Sequence, residues 1–287
     1  MQTEALREFI EAHPRLFVLT GAGCSTDSGF PDYRDAEGQW KRTPPVTLQA
    51  FLGDAAIRRR YWARNMLGWD RFGRAAPNAV HHALVQLERQ GRLQVLLTQN
   101  VDRLHQRAGS RNVIDLHGRM DRVRCMTCGE VGEREALQAR LLARNPDWAG
   151  RDSRPAPDGD ADFEAADFSG FEIPPCEVCG GLLKPDVVFF GESVPRERVE
   201  AACAHLEKAD AMLVAGSSLM VYSGFRFARM AAQQGKPIAA VNLGRTRADD
   251  LLALKVEDSC ADALAFLLAS PDAALADAKD GTLQMVR

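Results

Sequence analysis

Residues 16–19, Leu-Phe-Val-Leu, form an apolar run too short for a helix and without the alternation of a half-exposed strand. They read as a strand buried on both faces, the kind found in parallel sheets covered by helices. The run passes through Thr20 into Gly21-Ala22-Gly23-Cys24-Ser25-Thr26, so a glycine turn lies beyond the carboxyl end of the strand. Gly21 and Gly23 let the backbone approach a pyrophosphate without a side-chain clash, and Ser25 and Thr26 are placed to cap a following helix whose N-terminal amides attract anions. The spacing falls short of the full Gly-x-Gly-x-x-Gly, so this turn by itself also fits an ordinary strand-to-helix junction. Beyond it, Ser28, Gly29, Pro31, Asp32 and Arg34 set two charges in a proline-stiffened loop beside the proposed phosphate site.

The arrangement recurs along the chain. Residues 93–97 form an apolar strand that ends in Gln99-Asn100-Val101-Asp102, and residues 113–116 form another that ends in His117. Residues 187–190, 211–215 and 237–241 repeat it, ending in Gly191, in Gly216-Ser217-Ser218 and in Asn242-Leu243-Gly244. Five or six strands thus gather small or polar residues at one edge, where an open α/β sheet takes its ligand. Helices read over residues 3–12, 77–90, 195–208 and 261–269, with Cys203 as a buried apolar residue of the third. The expected fold class is α/β: a Rossmann-like parallel sheet with helices on both faces, built from residues 1–40, 74–118 and 184–287. Residues 41–73 read as a helical insertion and residues 119–183 as a metal-binding module. Asn100 and Asp102 also suit the capping of a helix, and a histidine after a strand is commonly structural. At this edge, however, His117 has a titration range fit for accepting a proton near neutral pH.

Cys125-Met-Thr-Cys128-Gly and Cys176-Glu-Val-Cys179-Gly are two knuckles able to present four thiolates to Zn²⁺, with the amides of their glycine turns expected to bond the sulfurs. A redox dithiol explains one pair but not two. Four sulfur ligands leave no open position for water, so the zinc holds a ribbon together and does no chemistry. The segment between the knuckles carries Asp152, Asp158, Asp160, Asp162, Glu164 and Asp167, and the net charge is −3, which disfavours nucleic acid as a partner. Residues 147–170 read as a loop. Seven cysteines fit a disulfide framework poorly, no run of 18 apolar residues is present, and residues 1–14 do not look like a leader; the expectation is a cytoplasmic protein without a membrane partner. In the helical insertion, Tyr61 and Arg64 share a helix face and offer a phenol and a guanidinium fork to a carboxylate; a solvated basic helix with an aromatic anchor fits the same residues.

Taken in order, these motifs resemble the sirtuin family of NAD-dependent protein deacylases, whose segments run Gly-Ala-Gly-x-Ser-x-x-Ser-Gly-Ile-Pro-Asp-Phe-Arg, Gln-Asn-x-Asp-x-Leu-His, Leu-His-Gly and two Cys-x-x-Cys pairs. The resemblance implies an NAD site formed by Gly21, Ala22, Gly23, Ser25, Thr26, Phe30, Pro31, Asp32, Tyr33, Arg34, Trp40, Gln99, Asn100, Val101 and Asp102. Gly216, Ser217, Ser218, Asn242, Leu243, Gly244 and Cys260 complete it. It makes His117 the general base, with Asn100 beside it, and assigns Cys125, Cys128, Cys176 and Cys179 to zinc. Val188, Phe189, Phe190, Gly191 and Val221 would hold the acyl-lysine of a protein or peptide, with Tyr61 and Arg64 at the acyl group. The implied reaction transfers the acyl group of a modified lysine to ADP-ribose and releases nicotinamide. Cys24, Phe30, Arg103 and Ser223 depart from the usual pattern; Phe30, at the implied wall of the nicotinamide pocket, would alter nicotinamide exchange. The Tyr61-Trp62-Ala63-Arg64-Asn65 segment, the long acidic insertion and Val221-Tyr222-Ser223-Gly224 most resemble the class II branch, associated with acidic, branched, long-chain or lipoyl groups. Without a transit peptide, a bacterial relative is the simpler expectation. ADP-ribosyl transfer to protein and an NAD-sensing zinc scaffold are the alternatives.

Overall fold

The computed structural model describes residues 2–41, 44–151, 154–155, 161–162 and 167–269. In chain order, α1 (Gln2–Ala12) leads into β1 (Leu16–Thr20), and after the glycine turn come α2 (Leu48–Gly53), α3 (Ala55–Arg74) and α4 (Ala79–Arg89). Then follow β2 (Leu93–Thr98), α5 (Leu104–Ala108) and β3 (Val113–Asp115). The middle of the chain gives β4 (Gly118–Cys125), β5 (Val131–Glu133), α6 (Arg134–Arg144), β6 (Arg154–Pro155), β7 (Ala161–Asp162) and β8 (Leu183–Val187). The last part returns with α7 (Arg196–Lys208), β9 (Ala211–Ala215), α8 (Tyr222–Gln233), β10 (Ile238–Val241), β11 (Leu254–Val256) and α9 (Cys260–Leu264).

Six parallel strands lie in the order β11-β10-β9-β1-β2-β3. Strand order reverses between β1 and β9, so the loops after these two strands part on opposite faces and leave a crevice at their carboxyl ends. The wholly apolar β1 is explained by its two coverings. Leu16 and Val18 pack with Leu6, Ile10, Val80, Leu84 and Leu264 of α1, α4 and α9, whereas Phe17 and Leu19 pack with Leu206, Phe227 and Ala231 of α7 and α8. With both faces buried there is no place for a polar residue. The α/β class and the helices on both faces are as the sequence indicates.

A second sheet, β5-β4-β8, is antiparallel and stands beside α3 and α6 over a third apolar cluster that includes Phe51, Trp62, Trp69, Val123, Leu141 and Phe189. Here several sequence expectations are corrected. The strand read at residues 187–190 is β8, Leu183–Val187, and it pairs with β4 rather than with the parallel sheet. The apolar run misled because it joins a strand end to two aromatic residues: Phe189 packs on Phe51, and Phe190 makes an isolated bridge with Thr47. No α-helix starts directly at the glycine turn. Two three-residue 3₁₀ turns, Ala22–Cys24 and Thr26–Ser28, take its place without side-chain caps from Ser25 or Gly21. The final helix is α9 followed by a 3₁₀ turn, Ala265–Leu267, and Cys203 is only half-buried, against Met230. Of the acidic insertion, Asp152, Asp158, Asp160 and Glu164 lie outside the described residues.

Candidate active site

Two loops interlock at the crevice. Gly21 and Gly23 donate to the carbonyls of Ala215 and Gly216, at 3.1 and 2.8 Å. A Cβ on Gly21 would come within 2.8 Å of the Gly216 carbonyl oxygen, and one on Gly23 within 2.8 Å of the Gly216 Cα. The glycines are therefore required by the packing of one loop on the other, in addition to any approach by a phosphate. Asn78, which caps α4 by accepting from Val80, also donates to the Cys24 carbonyl at 2.8 Å and so ties the turn to that helix.

From β2, Asn100 turns its amide into the same loop. Its Nδ2 donates to the Gly21 carbonyl and to Ser25 Oγ, both at 3.0 Å, and Ser25 passes its own hydrogen to Asp102 at 2.7 Å. Asp102 in turn accepts from the Leu104 amide at 2.9 Å, a turn that satisfies the first amide of α5, while Arg103 holds the N-cap position without a side-chain cap. Burial raises the proton affinity of Asp102, and the bonds from Leu104 and Ser25 oppose that rise. Ser25 is thus a buried bridge between two β2-loop residues rather than an anion cap.

His117 follows β3. Its Nδ1 lies 3.0 Å from the Gln99 carbonyl oxygen, which can only accept, so that nitrogen carries the proton. Nε2 is then the basic atom, and Ser223 Oγ donates to it at 2.7 Å. Burial holds the imidazole pKa down to about 4, with Arg198 acting the same way and the Gln99 carbonyl opposing. The ring is therefore neutral at physiological pH, and its one lone pair, on Nε2, is engaged by the Ser223 hydroxyl, which must turn away for Nε2 to take another proton. The Gln99 side chain is itself fixed by Ser217 Oγ at 2.6 Å, which links the β2 and β9 loops.

These loops border one cleft of about 1790 Å³. Gly21, Ala22, Gly23, Thr26, Asp32, Tyr33, Arg34, Trp40, Gln99, Asn100, Val101, His117, Gly216, Ser217, Ser218, Asn242, Leu243, Gly244 and Cys260 line it. So do Tyr61, Arg64, Val188, Phe189, Phe190, Gly191 and Val221. Ser25, Phe30, Pro31 and Asp102 are not among the lining residues. Phe30 instead packs on Phe72 of α3, with ring centroids 5.5 Å apart, because the cluster beneath the loop takes the aromatic ring. The Arg34 guanidinium lies 3.8 Å above Trp40 and donates to the Gly38 carbonyl, so it braces the loop. Tyr61 sits between Phe51 and Phe189, at 5.4 and 5.3 Å. Sequence reasoning assigned no role to Ser223, Met120 or Asn65, all on the cleft wall. Asn65 was detectable, since it lies one helical turn beyond Tyr61; the contact of Ser223 with a residue after β3 had no sequence signal.

The four cysteines form a separate cluster. Their sulfurs lie within 4.8 Å of one another, with Cys125 and Cys179 at 3.5 Å and Cys128 and Cys176 at 3.8 Å. Zinc–sulfur bonds of about 2.3 Å in a tetrahedron require edges of about 3.8 Å, so the donor set fits Zn²⁺. A Cβ on Gly181 would meet Cys125 Sγ at 3.0 Å, leaving glycine as the residue that lets the knuckles close. The glycine amides do not bond the sulfurs as expected: Gly129 and Gly180 donate to the carbonyls of Cys125 and Cys176, and it is the Thr127 amide that reaches Cys125 Sγ. The four cysteines hold the β5-β4-β8 sheet and do not line the cleft, although Met120 of β4 and Val187 of β8 do.

A parallel sheet that opens a dinucleotide-sized cleft onto a neutral imidazole, with a thiolate ribbon standing apart, defines a class of NAD-dependent enzymes with a structural metal. Within that class the chain belongs to the Sir2 family, whose model matches residues 21–223. It is 66% identical over 268 residues to an NAD-dependent protein deacetylase of Xanthomonas campestris pv. campestris (strain 8004), covering 93% of this chain and 92% of that one. It is 47% identical over 266 residues to the NAD-dependent protein lipoamidase sirtuin-4, mitochondrial, of Homo sapiens, covering 92% and 85% of the two chains. A solved Sir2–p53 peptide–NAD⁺ structure, 29% identical, superposes with a TM-score of 0.72 over 94% of this chain and 98% of the other. Among the described residues no helix is long and apolar enough to cross a membrane.

Proposed function

We propose that the chain is an NAD-dependent protein-lysine deacylase of the bacterial cytoplasm, acting on proteins or peptides with acyl groups larger than acetyl. The observation that carries this reading is the neutral His117, whose basic Nε2 stands on the wall of the cleft that also holds the glycine turn and Asn100. NAD, when bound, supplies a ribose carbon activated by its nicotinamide leaving group. The remaining work belongs to the chain. The interlocked loops after β1 and β9 hold the phosphates, and Asn100, with its amide fixed by Gly21 and Ser25, orients the nicotinamide ribose. His117 Nε2 accepts a proton from a ribose hydroxyl, with Nδ1–H anchored on the Gln99 carbonyl throughout. Val188, Phe189, Phe190 and Val221 enclose the acyl-lysine and exclude water, which lets reactants meet in a fixed geometry. Tyr61 and Arg64 line the cleft beside Phe189, and they favour an acyl chain that ends in a carboxylate. The zinc ribbon supports the fold and takes no part in the chemistry.

The test is a panel of lysine peptides bearing acetyl, butyryl, octanoyl, glutaryl and lipoyl groups, with NAD, for wild type and His117→Ala. The expected outcome is nicotinamide release and O-acyl-ADP-ribose from the longer chains, and loss of both in the variant at unchanged melting temperature and zinc content. Acetyl turned over faster than every longer chain overturns the acyl preference. Retained turnover in His117→Ala overturns the base assignment. Stable labelling of protein from labelled NAD, without deacylation, favours ADP-ribosyl transfer instead.

A further inference from the structure

The helix that carries Tyr61 and Arg64 also carries Asn65, which lines the same cleft although only 2% of it is exposed. Its Oδ1 accepts two hydrogen bonds from the guanidinium of Arg134 at the start of α6, from Nε at 2.9 Å and Nη2 at 2.7 Å. Arg134 cannot easily move. It is fully buried over the rings of Trp69 and Trp62, at 4.4 and 5.4 Å, and its Nη2 also donates to Gln138 Oε1, whose amide donates to the Met66 carbonyl. Turning the Asn65 amide over would set its N–H against guanidinium N–H groups, so its orientation is fixed.

The consequence is on the other side of the amide. Asn65 Nδ2 faces Met120 Sδ at 3.7 Å, and thioether sulfur is a weak acceptor. A buried N–H with so poor a partner costs stability. Behind it stands a cation that donates to the neutral oxygens of Asn65 and Gln138, and this polarises the amide toward stronger donation. Met120, also on the cleft wall, is flexible enough to yield its place.

We propose that Asn65, held by Arg134, is a specificity-determining residue that reads a hydrogen-bond acceptor oxygen within the acyl chain of the substrate. The group recognised is a hydroxyl, keto or carboxylate oxygen carried beyond the amide that joins the acyl group to lysine. This rests on the reading of the cleft as an acyl-lysine site, but it differs from recognition by Arg64, because a neutral donor requires no charge on the acyl chain. Neutral oxygenated chains are therefore substrates in their own right.

The experiment compares lysine peptides carrying hexanoyl, 3-hydroxyhexanoyl and 5-oxohexanoyl groups on wild type and Asn65→Asp. Aspartate keeps the shape and accepts from Arg134 but has no N–H. Two quantities are measured: kcat/KM with NAD, and peptide affinity without NAD by calorimetry. For wild type the better oxygenated chain is expected to exceed hexanoyl by about tenfold in both, the value of one good buried hydrogen bond. In Asn65→Asp that ratio falls to one or below, with melting temperature and zinc content confirming the fold. Equal affinity of wild type for all three peptides overturns the proposal, as does an unchanged ratio in the variant. If the variant does not fold, the wild-type comparison decides alone. Absent turnover with a preserved affinity ratio refutes the deacylase reading and leaves the role of Asn65 standing.

Discussion

At the scale of single residues, the imidazole of His117 is held at two points, by the Gln99 carbonyl and by the Ser223 hydroxyl. Ser223→Ala removes one of these. The expected result is a fall in kcat of about two- to tenfold, the worth of one hydrogen bond, with a smaller change in KM and recovery in Ser223→Thr. Steady-state kinetics of the three proteins check it, and an unchanged kcat in the alanine variant shows that Gln99 suffices. Most of the residue types in the cleft were legible from sequence because they stand just past an apolar strand, and Tyr61 and Arg64 because they share a helix face. Their partnerships were not. Ser25 looks like a cap and is a bridge to Asp102, and Phe30 looks like a pocket wall and packs under the loop on Phe72. In both cases the deciding neighbour is distant in sequence, and local pattern carries no trace of it.

At the scale of elements, the two cysteine knuckles are joined through the antiparallel β5-β4-β8 sheet and contribute Cys125 and Cys176 to the same apolar cluster as Trp62 and Phe189. Removal of zinc by a chelator is expected to melt this sheet first, since thiols cannot replace the metal bonds that close it. Hydrogen exchange should quicken across residues 118–133 and 183–187 before it quickens in β1 or β9. Uniform protection after chelation contradicts this. The knuckles were plain in the sequence because metal ligands have strict spacing, whereas β8 was misplaced. The apolar run at residues 187–190 has the composition of a buried parallel strand, but the strand is Leu-Lys-Pro-Asp-Val just before it, and its pairing with β4 places it in the other sheet.

At the scale of the whole molecule, the fold places two histidines where water does not reach. His81 and His105 lie with ring centroids 4.7 Å apart, and burial lowers the pKa of His81 to about 4 and holds that of His105 well below the ordinary imidazole range. Both are neutral in the native state and titrate near 6.5 when unfolded. Their contribution is therefore complete above pH 6.5 and is lost as pH falls toward 4, by about 3 kcal/mol for His81 alone. Asp102, whose proton affinity burial raises, works in the opposite sense and offsets part of the loss. Urea unfolding at pH 7 and at pH 4.5 checks the sign, and equal stability at the two contradicts it. The overall architecture was legible because five of the six parallel strands repeat one motif, and repetition is what sequence reading detects best; the short edge strand β11 was not read. One consequence of the interlocked loops concerns how the enzyme comes into being. Gly21 and Gly23 leave the ribosome long before Gly216, which they grip. A nascent or truncated chain that stops short of β9 has its glycine turn but no groove, so cofactor capture waits until β9 and its loop are made.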